Sequence, residues 1–174
     1  MKISIMKRVL LAVLGLFSMY SVQAQTAASV SEAPYLKNPG FPPIRLLKVD
    51  SVHFVTKDEI KKNHKILLMF FSPECEHCKH QTSDILADLS KFKDIEIVMA
   101  TFQPFDEMKT FYTYYRIGDH PNILMGRDEK YLLPPFYRMK SLPYLALYDK
   151  KGQFITSFEG NQKVDTILNA FEGK

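Results

Sequence analysis

Phe70-Phe71-Ser72-Pro73-Glu74-Cys75-Glu76-His77-Cys78 is the stretch on which the reading of this 174-residue chain turns. It follows Ile66 to Phe71, a continuous apolar run bounded by a lysine-rich turn and by Ser72-Pro73, the pattern of a strand buried on both faces. Downstream, Cys78 to Phe92 spaces Ile85, Leu86, Leu89 and Phe92 as one face of an amphipathic helix. The two cysteines, the only ones in the chain, thus sit where a buried strand hands over to a helix.

Outward from this point the elements alternate. Ile95 to Thr101 predicts a second buried strand, Phe105 to Arg116 a helix, and Ile123 to Met125 a short strand. Glu129 to Tyr137 reads as a helical stretch interrupted by Pro134-Pro135. Tyr144 to Tyr148, the turn Asp149-Lys150-Lys151-Gly152 and Phe154 to Phe158 form a hairpin pattern closed by Gly160. Val164 to Phe171 carries Val164, Ile167, Leu168 and Phe171 on one helical face. Toward the N-terminus, Ile44 to Val49 predicts a first strand, with Ser51 to Val55 as its partner. Strands alternating with helices before a terminal hairpin imply an α/β fold, with parallel central strands and an antiparallel edge.

Two further segments precede the domain. A basic start with Lys2, Lys7 and Arg8, an apolar run from Val9 to Tyr20, and small residues at Val22 and Ala24 form a signal-peptide pattern over residues 1–24, cleaved after Ala24. Its removal takes three basic residues and no acid, so the net charge falls from +4 to +1. Residues 25–40 read as a flexible linker, and 41–174 as the domain. Scattered lysines without an aromatic-interleaved basic stripe give no support to nucleic-acid binding.

A Cys-x-x-Cys pair in an exported chain has three readings: a redox dithiol, a structural disulfide, or part of a metal site. A disulfide closing so small a loop constrains the unfolded chain little. A zinc site needs two further ligands, and only His77 and His80 lie close in sequence. The redox reading explains the placement. Backbone N–H groups and the positive end of the dipole at a helix N-terminus stabilise a thiolate, which makes Cys75 the nucleophile and Cys78 the resolving thiol.

The nine-residue stretch resembles the active-site strand and turn of the thioredoxin superfamily. About seventy residues on, Ser141-Leu142-Pro143-Tyr144 and the hairpin after it resemble that family's cis-proline loop. The helix and strand between Phe102 and Met125 look like the insertion of the exported TlpA/ResA-like branch. The resemblance covers Phe41 to the end. It implies a thioredoxin fold, a central mixed β-sheet flanked by helices, with that extra helix and strand after the active-site helix and the strand following it. It also implies a cis Leu142–Pro143 bond beside the dithiol, where the Leu142 backbone pairs with a bound substrate strand.

The chain departs from the family pattern at informative positions. Glu74 replaces the tryptophan before the first cysteine, Met69 stands where thioredoxin keeps a buried aspartate, and Gln81 where ResA-like reductases place a glutamate. Inside the motif, Glu76 resembles the ResA-like dipeptide and His77 that of DsbA. A histidine that stabilises the thiolate makes the protein more oxidising, while Glu74 and Glu76 act oppositely, so an intermediate poise is expected. The resulting expectation is an exported thiol–disulfide oxidoreductase, periplasmic or secreted and without a cofactor or resident metal. It acts on protein thiols and disulfides and is recycled by a membrane or soluble redox partner. The alternatives are a copper carrier using Cys75, Cys78 and His77 or His80, and a binding module with little turnover. His80 on its own and the aromatic run Phe111-Tyr112-Thr113-Tyr114-Tyr115 read as surface and packing positions.

Overall fold

The computed structural model describes residues 32–173. The expected signal peptide and the first part of the expected linker lie outside the described residues. From Ala33 onward the chain forms a single compact unit.

Seven strands and five α-helices succeed one another there. They are α1 (Pro34–Lys37), β1 (Arg45–Leu47), β2 (Phe54–Thr56), β3 (Lys65–Phe70), α2 (Glu76–Ala87), β4 (Ile95–Thr101), α3 (Phe105–Tyr114), β5 (Ile123–Arg127), α4 (Leu133–Tyr137), β6 (Tyr144–Tyr148), β7 (Phe154–Glu159) and α5 (Val164–Phe171). One mixed sheet has the order β2-β1-β5-β4-β3-β6-β7. β3, β4 and β5 are parallel, and β6 runs antiparallel to β3, with Phe70 opposite Tyr144 and Ile66 opposite Tyr148. The expected α/β class and thioredoxin architecture are therefore the observed ones.

Alternation along β3 divides the core between the two sheet faces, because successive side chains of a strand point oppositely. Leu67, Met69 and Phe71 pack with Ile85 of α2, Met108 and Phe111 of α3, and Ile167 and Phe171 of α5. Ile66, Leu68 and Phe70 pack on the other face with Leu133 and Tyr137 of α4, Tyr144, Tyr148 and Phe41. On that second face the Tyr137 and Tyr148 hydroxyls hydrogen-bond to each other. At Gly126 in β5 an added Cβ would lie 2.7 Å from Leu46 Cβ and 2.9 Å from the Leu47 carbonyl oxygen, so β1 reaches this close only because the residue is glycine.

Several element ends differ from the expected ones by a few residues, and three of the differences have a local reason. The linker expected over residues 25–40 is folded from Ala33: α1 places the Tyr35 ring 5.5 Å from Tyr137 and 5.0 Å from Phe154, and Gly40 bridges to Gln153. Pro134-Pro135 begin α4 rather than interrupt it, because proline in a first helical turn forfeits no hydrogen bond. The helix expected from Cys78 to Phe92 starts at Glu76 and ends at Ala87, with Leu89–Phe92 continuing as a 3₁₀ turn.

Candidate active site

Strand β3 ends at Phe70, and five residues later Cys75 caps α2. Cys75 has extended backbone angles (φ −79°, ψ 115°), and its sulfur accepts a hydrogen bond from the Cys78 N–H at 3.3 Å. This fills the role that a serine or aspartate oxygen ordinarily plays at an N-cap. The sulfur thus sits at the positive end of the helix with a backbone N–H aimed at it. Ser72 helps shape the turn, its carbonyl accepting the Cys75 N–H at 3.1 Å.

The two thiols differ in access. Both are free, Cys75 half-buried and Cys78 fully buried. Burial, and then the hydrogen bond with Cys75, pushes the Cys78 thiol well above the ordinary thiol range. An accessible sulfur facing solvent and a protonated one behind it is the division of labour that nucleophile and resolving thiol require.

Opposite the turn, the Leu142–Pro143 peptide is cis. The Leu142 carbonyl lies 4.0 Å from the Cys75 sulfur, which places this loop against the dithiol although 67 residues separate them in sequence. Pairing of Phe70 with Tyr144 is what brings the two together. Pro143 is buried and Leu142 half-buried. The Pro143 carbonyl accepts the Gly160 N–H at 2.8 Å.

The residues inside the motif are less engaged. Glu76 is exposed and pairs with Lys79 at 2.9 Å, which holds its carboxyl below its usual range and offsets its charge beside the thiols. His77 is exposed and makes no hydrogen bond or ion pair among the described residues. His80 is exposed too, and no group of three or more His, Cys, Asp or Glu side chains among the described residues is placed to hold a metal ion. Met69 is fully buried.

Gln81 shows what the sequence reading missed. It is fully buried, its Nε2 donating to the Gln162 carbonyl at 3.1 Å while its Oε1 accepts the Gln162 N–H at 2.7 Å. One amide thus binds both polar groups of one backbone residue in the loop between Gly160 and α5, and Gly160 is the residue bonded to Pro143. The side chain ties α2 to the loop whose Gly160 is in turn bonded to the cis-proline segment. The available signal was the amide itself, since a carboxylate can accept but cannot donate.

Comparison with known proteins identifies the fold and the family. Residues 55–172 match the thioredoxin-like domain family. Among solved structures, a putative thiol:disulfide interchange protein DsbE from Chlorobium tepidum is 18% identical, covers 76% of this chain and 95% of its own, and superposes with a TM-score of 0.62. The exposed lipoprotein thioredoxin of Streptococcus pneumoniae is 21% identical, covers 75% and 98%, and has a TM-score of 0.61. A secreted disulfide oxidoreductase of Mycobacterium tuberculosis is 12% identical, covers 76% and 96%, and has a TM-score of 0.60. No curated protein matches the chain at a significant level.

Proposed function

This chain belongs to the thioredoxin-like domain family, and from that premise we propose that it is an exported thiol–disulfide oxidoreductase acting on protein substrates through Cys75 and Cys78. The observation that carries the reading is the asymmetric dithiol. Cys75 is accessible, hydrogen-bonded by a helix N–H and faced by a cis-proline loop, while Cys78 is buried and protonated behind it.

In the reducing direction the Cys75 thiolate attacks one sulfur of a substrate disulfide. A mixed disulfide forms, and the other substrate sulfur leaves as a thiolate. Cys78 then attacks the Cys75 sulfur, its proton passing to the departing sulfur, and the second substrate thiol is released. The substrate gains two electrons and, from Cys78, one proton; the thiolate released first takes its proton from water, and the protein retains a Cys75–Cys78 disulfide. Oxidation of substrate thiols is the same sequence reversed. Because Met69 and Gln81 cannot accept a proton, the sulfurs exchange protons among themselves or with water. The Leu142 backbone, beside Cys75, is the edge on which a substrate strand would pair.

Export rests on the basic and apolar pattern of residues 1–24, and the secreted and surface-exposed neighbours are in keeping with it. The expected test uses a protein disulfide substrate. Cys75→Ser loses exchange by at least ~100-fold, whereas Cys78→Ser accumulates a mixed disulfide that mass spectrometry detects on Cys75. Full activity in Cys75→Ser would overturn the proposal. The reduction potential then assigns the direction: near ~−270 mV the protein is poised as a reductase, near ~−120 mV as an oxidase.

A further inference from the structure

We propose that the pole of the molecule opposite the dithiol is a docking surface for an anionic phospholipid membrane, which would hold Cys75 turned away from the bilayer. Two loops distant in sequence make this pole. Lys57, Lys61 and Lys62 lie on the connection from β2 to β3, and Lys150 and Lys151 on the turn from β6 to β7. Because β6 runs antiparallel to β3, with Tyr148 opposite Ile66, both loops fall at the same end of the sheet. They surround a concavity of about 390 Å³ together with His64 and a single acid, Asp58.

The partners of these lysines separate structural from available charge. Lys61 donates to the Pro121 carbonyl at 2.7 Å and lies 3.3 Å from buried Glu96, so its charge is used inside the fold. Glu59, the other acid of this connection, is taken by Lys48. Lys57, Lys62, Lys150 and Lys151 have no acidic partner among the described residues. Four unneutralised cations therefore converge from two loops.

The rest of the molecule makes this segregation rather than general basicity. Of the 23 basic and 19 acidic residues, Lys2, Lys7, Arg8 and Lys174 lie outside the described residues, so the described part carries no net charge. The balancing acids gather partly at the other end. Glu74, Asp106 and Glu107 line a groove beside the dithiol turn, where the only cation, Lys79, is already paired with Glu76. Between the poles lies the length of β3, about 17 Å at ~3.3 Å per residue. A protein with separated charge of this kind is oriented by a negatively charged surface, and basic clusters are attracted to anionic headgroups within a Debye length.

The test measures cosedimentation of the protein, as recovered from the exporting cell, with vesicles of phosphatidylcholine alone and of phosphatidylcholine with phosphatidylglycerol. An apolar N-terminus, if retained, contributes to both vesicle types, so the difference between them isolates the charged pole. Binding to the anionic vesicles is expected to fall with added salt. It should also weaken at least ~10-fold in Lys57→Gln/Lys62→Gln/Lys150→Gln/Lys151→Gln, whose fold is checked by circular dichroism. Lys61 is left intact so that Glu96 keeps its partner. The control Lys109→Gln/Lys130→Gln/Lys163→Gln, all exposed and elsewhere, is expected to bind as wild type. Bound protein should react with a soluble thiol reagent at Cys75 as fast as free protein does.

Equal binding to both vesicle types, equal loss in the control, displacement by inorganic phosphate beyond that by sodium chloride of the same ionic strength, or shielding of Cys75 on binding would each overturn the proposal. None of these readouts requires that the dithiol turn over substrate.

Discussion

Gln81 sits one helical turn beyond Cys78, where its amide grips both polar groups of the Gln162 backbone. Gln81→Ala strands the half-buried N–H and carbonyl of Gln162, at a cost of about 1–2 kcal/mol in unfolding free energy, read from urea denaturation. Gln81→Glu keeps the accepted bond but at neutral pH turns a buried carboxylate toward the Gln162 carbonyl, so it should lose at least as much stability as Gln81→Ala and recover part of it as the carboxyl is protonated at lower pH. Sequence marked Cys75, Cys78 and Pro143 plainly, because a chemistry that needs two thiols at a helix N-terminus restricts their spacing. It marked Gln81 only as a substitution for an expected acid, because its partner lies 81 residues away and only the fold brings them together. His77 shows the converse. Its position in the motif suggested influence on the thiols, yet the side chain is exposed and unbonded.

At the scale of elements, α4 is five residues long and stands by virtue of what it packs against. Its Tyr137 contacts Tyr35 and Tyr144 and shares a hydroxyl–hydroxyl bond with Tyr148 of β6. Replacing either hydroxyl alone, by Tyr137→Phe or Tyr148→Phe, leaves the other buried without its partner and should cost ~1–3 kcal/mol. The double variant should cost less than the sum of the two, a coupling that a thermodynamic cycle measures. Additive losses would mean that the hydroxyls do not depend on each other. The same packing explains which elements were legible. β3 announces itself as an unbroken apolar run from Ile66, β4 as an apolar, β-branched run interrupted by Glu96, and the hairpin from β6 to β7 by its turn residues. α1 has neither length nor periodicity, and its order comes from Tyr35 meeting rings contributed by residues more than a hundred positions later.

For the molecule as a whole, the groups the fold holds protonated set its response to alkali. Burial raises Cys78, Tyr137 and Tyr144, and pushes Tyr148 up to about 12. In the unfolded chain a cysteine ionises near ~8.5 and a tyrosine near ~10. The unfolded state therefore releases these protons first, and stability that is complete below ~8.5 is lost as pH rises. Chemical denaturation across pH 7 to 11 should show decline beginning near ~8.5, at up to ~1.4 kcal/mol per pH unit from Cys78, and steepening near ~10. Cys78→Ala should abolish the first phase and leave the second. The grouping of lysines at one pole is also a property of the whole molecule. In sequence they are scattered, and only the antiparallel pairing of β3 with β6 gathers residues 57–62 with 150 and 151.

The cap of α2 has a spectroscopic corollary. The acceptor of the Cys78 N–H is the Cys75 sulfur, so on the proposed function the first turn of the helix is bonded to an atom whose electron density changes with each half-cycle of exchange. A thiolate is a strong acceptor and a disulfide sulfur a feeble one. The backbone amide of Cys78 is in consequence a native reporter of oxidation state, its proton resonance and solvent exchange registering electron transfer from within the polypeptide, with no dye or label attached.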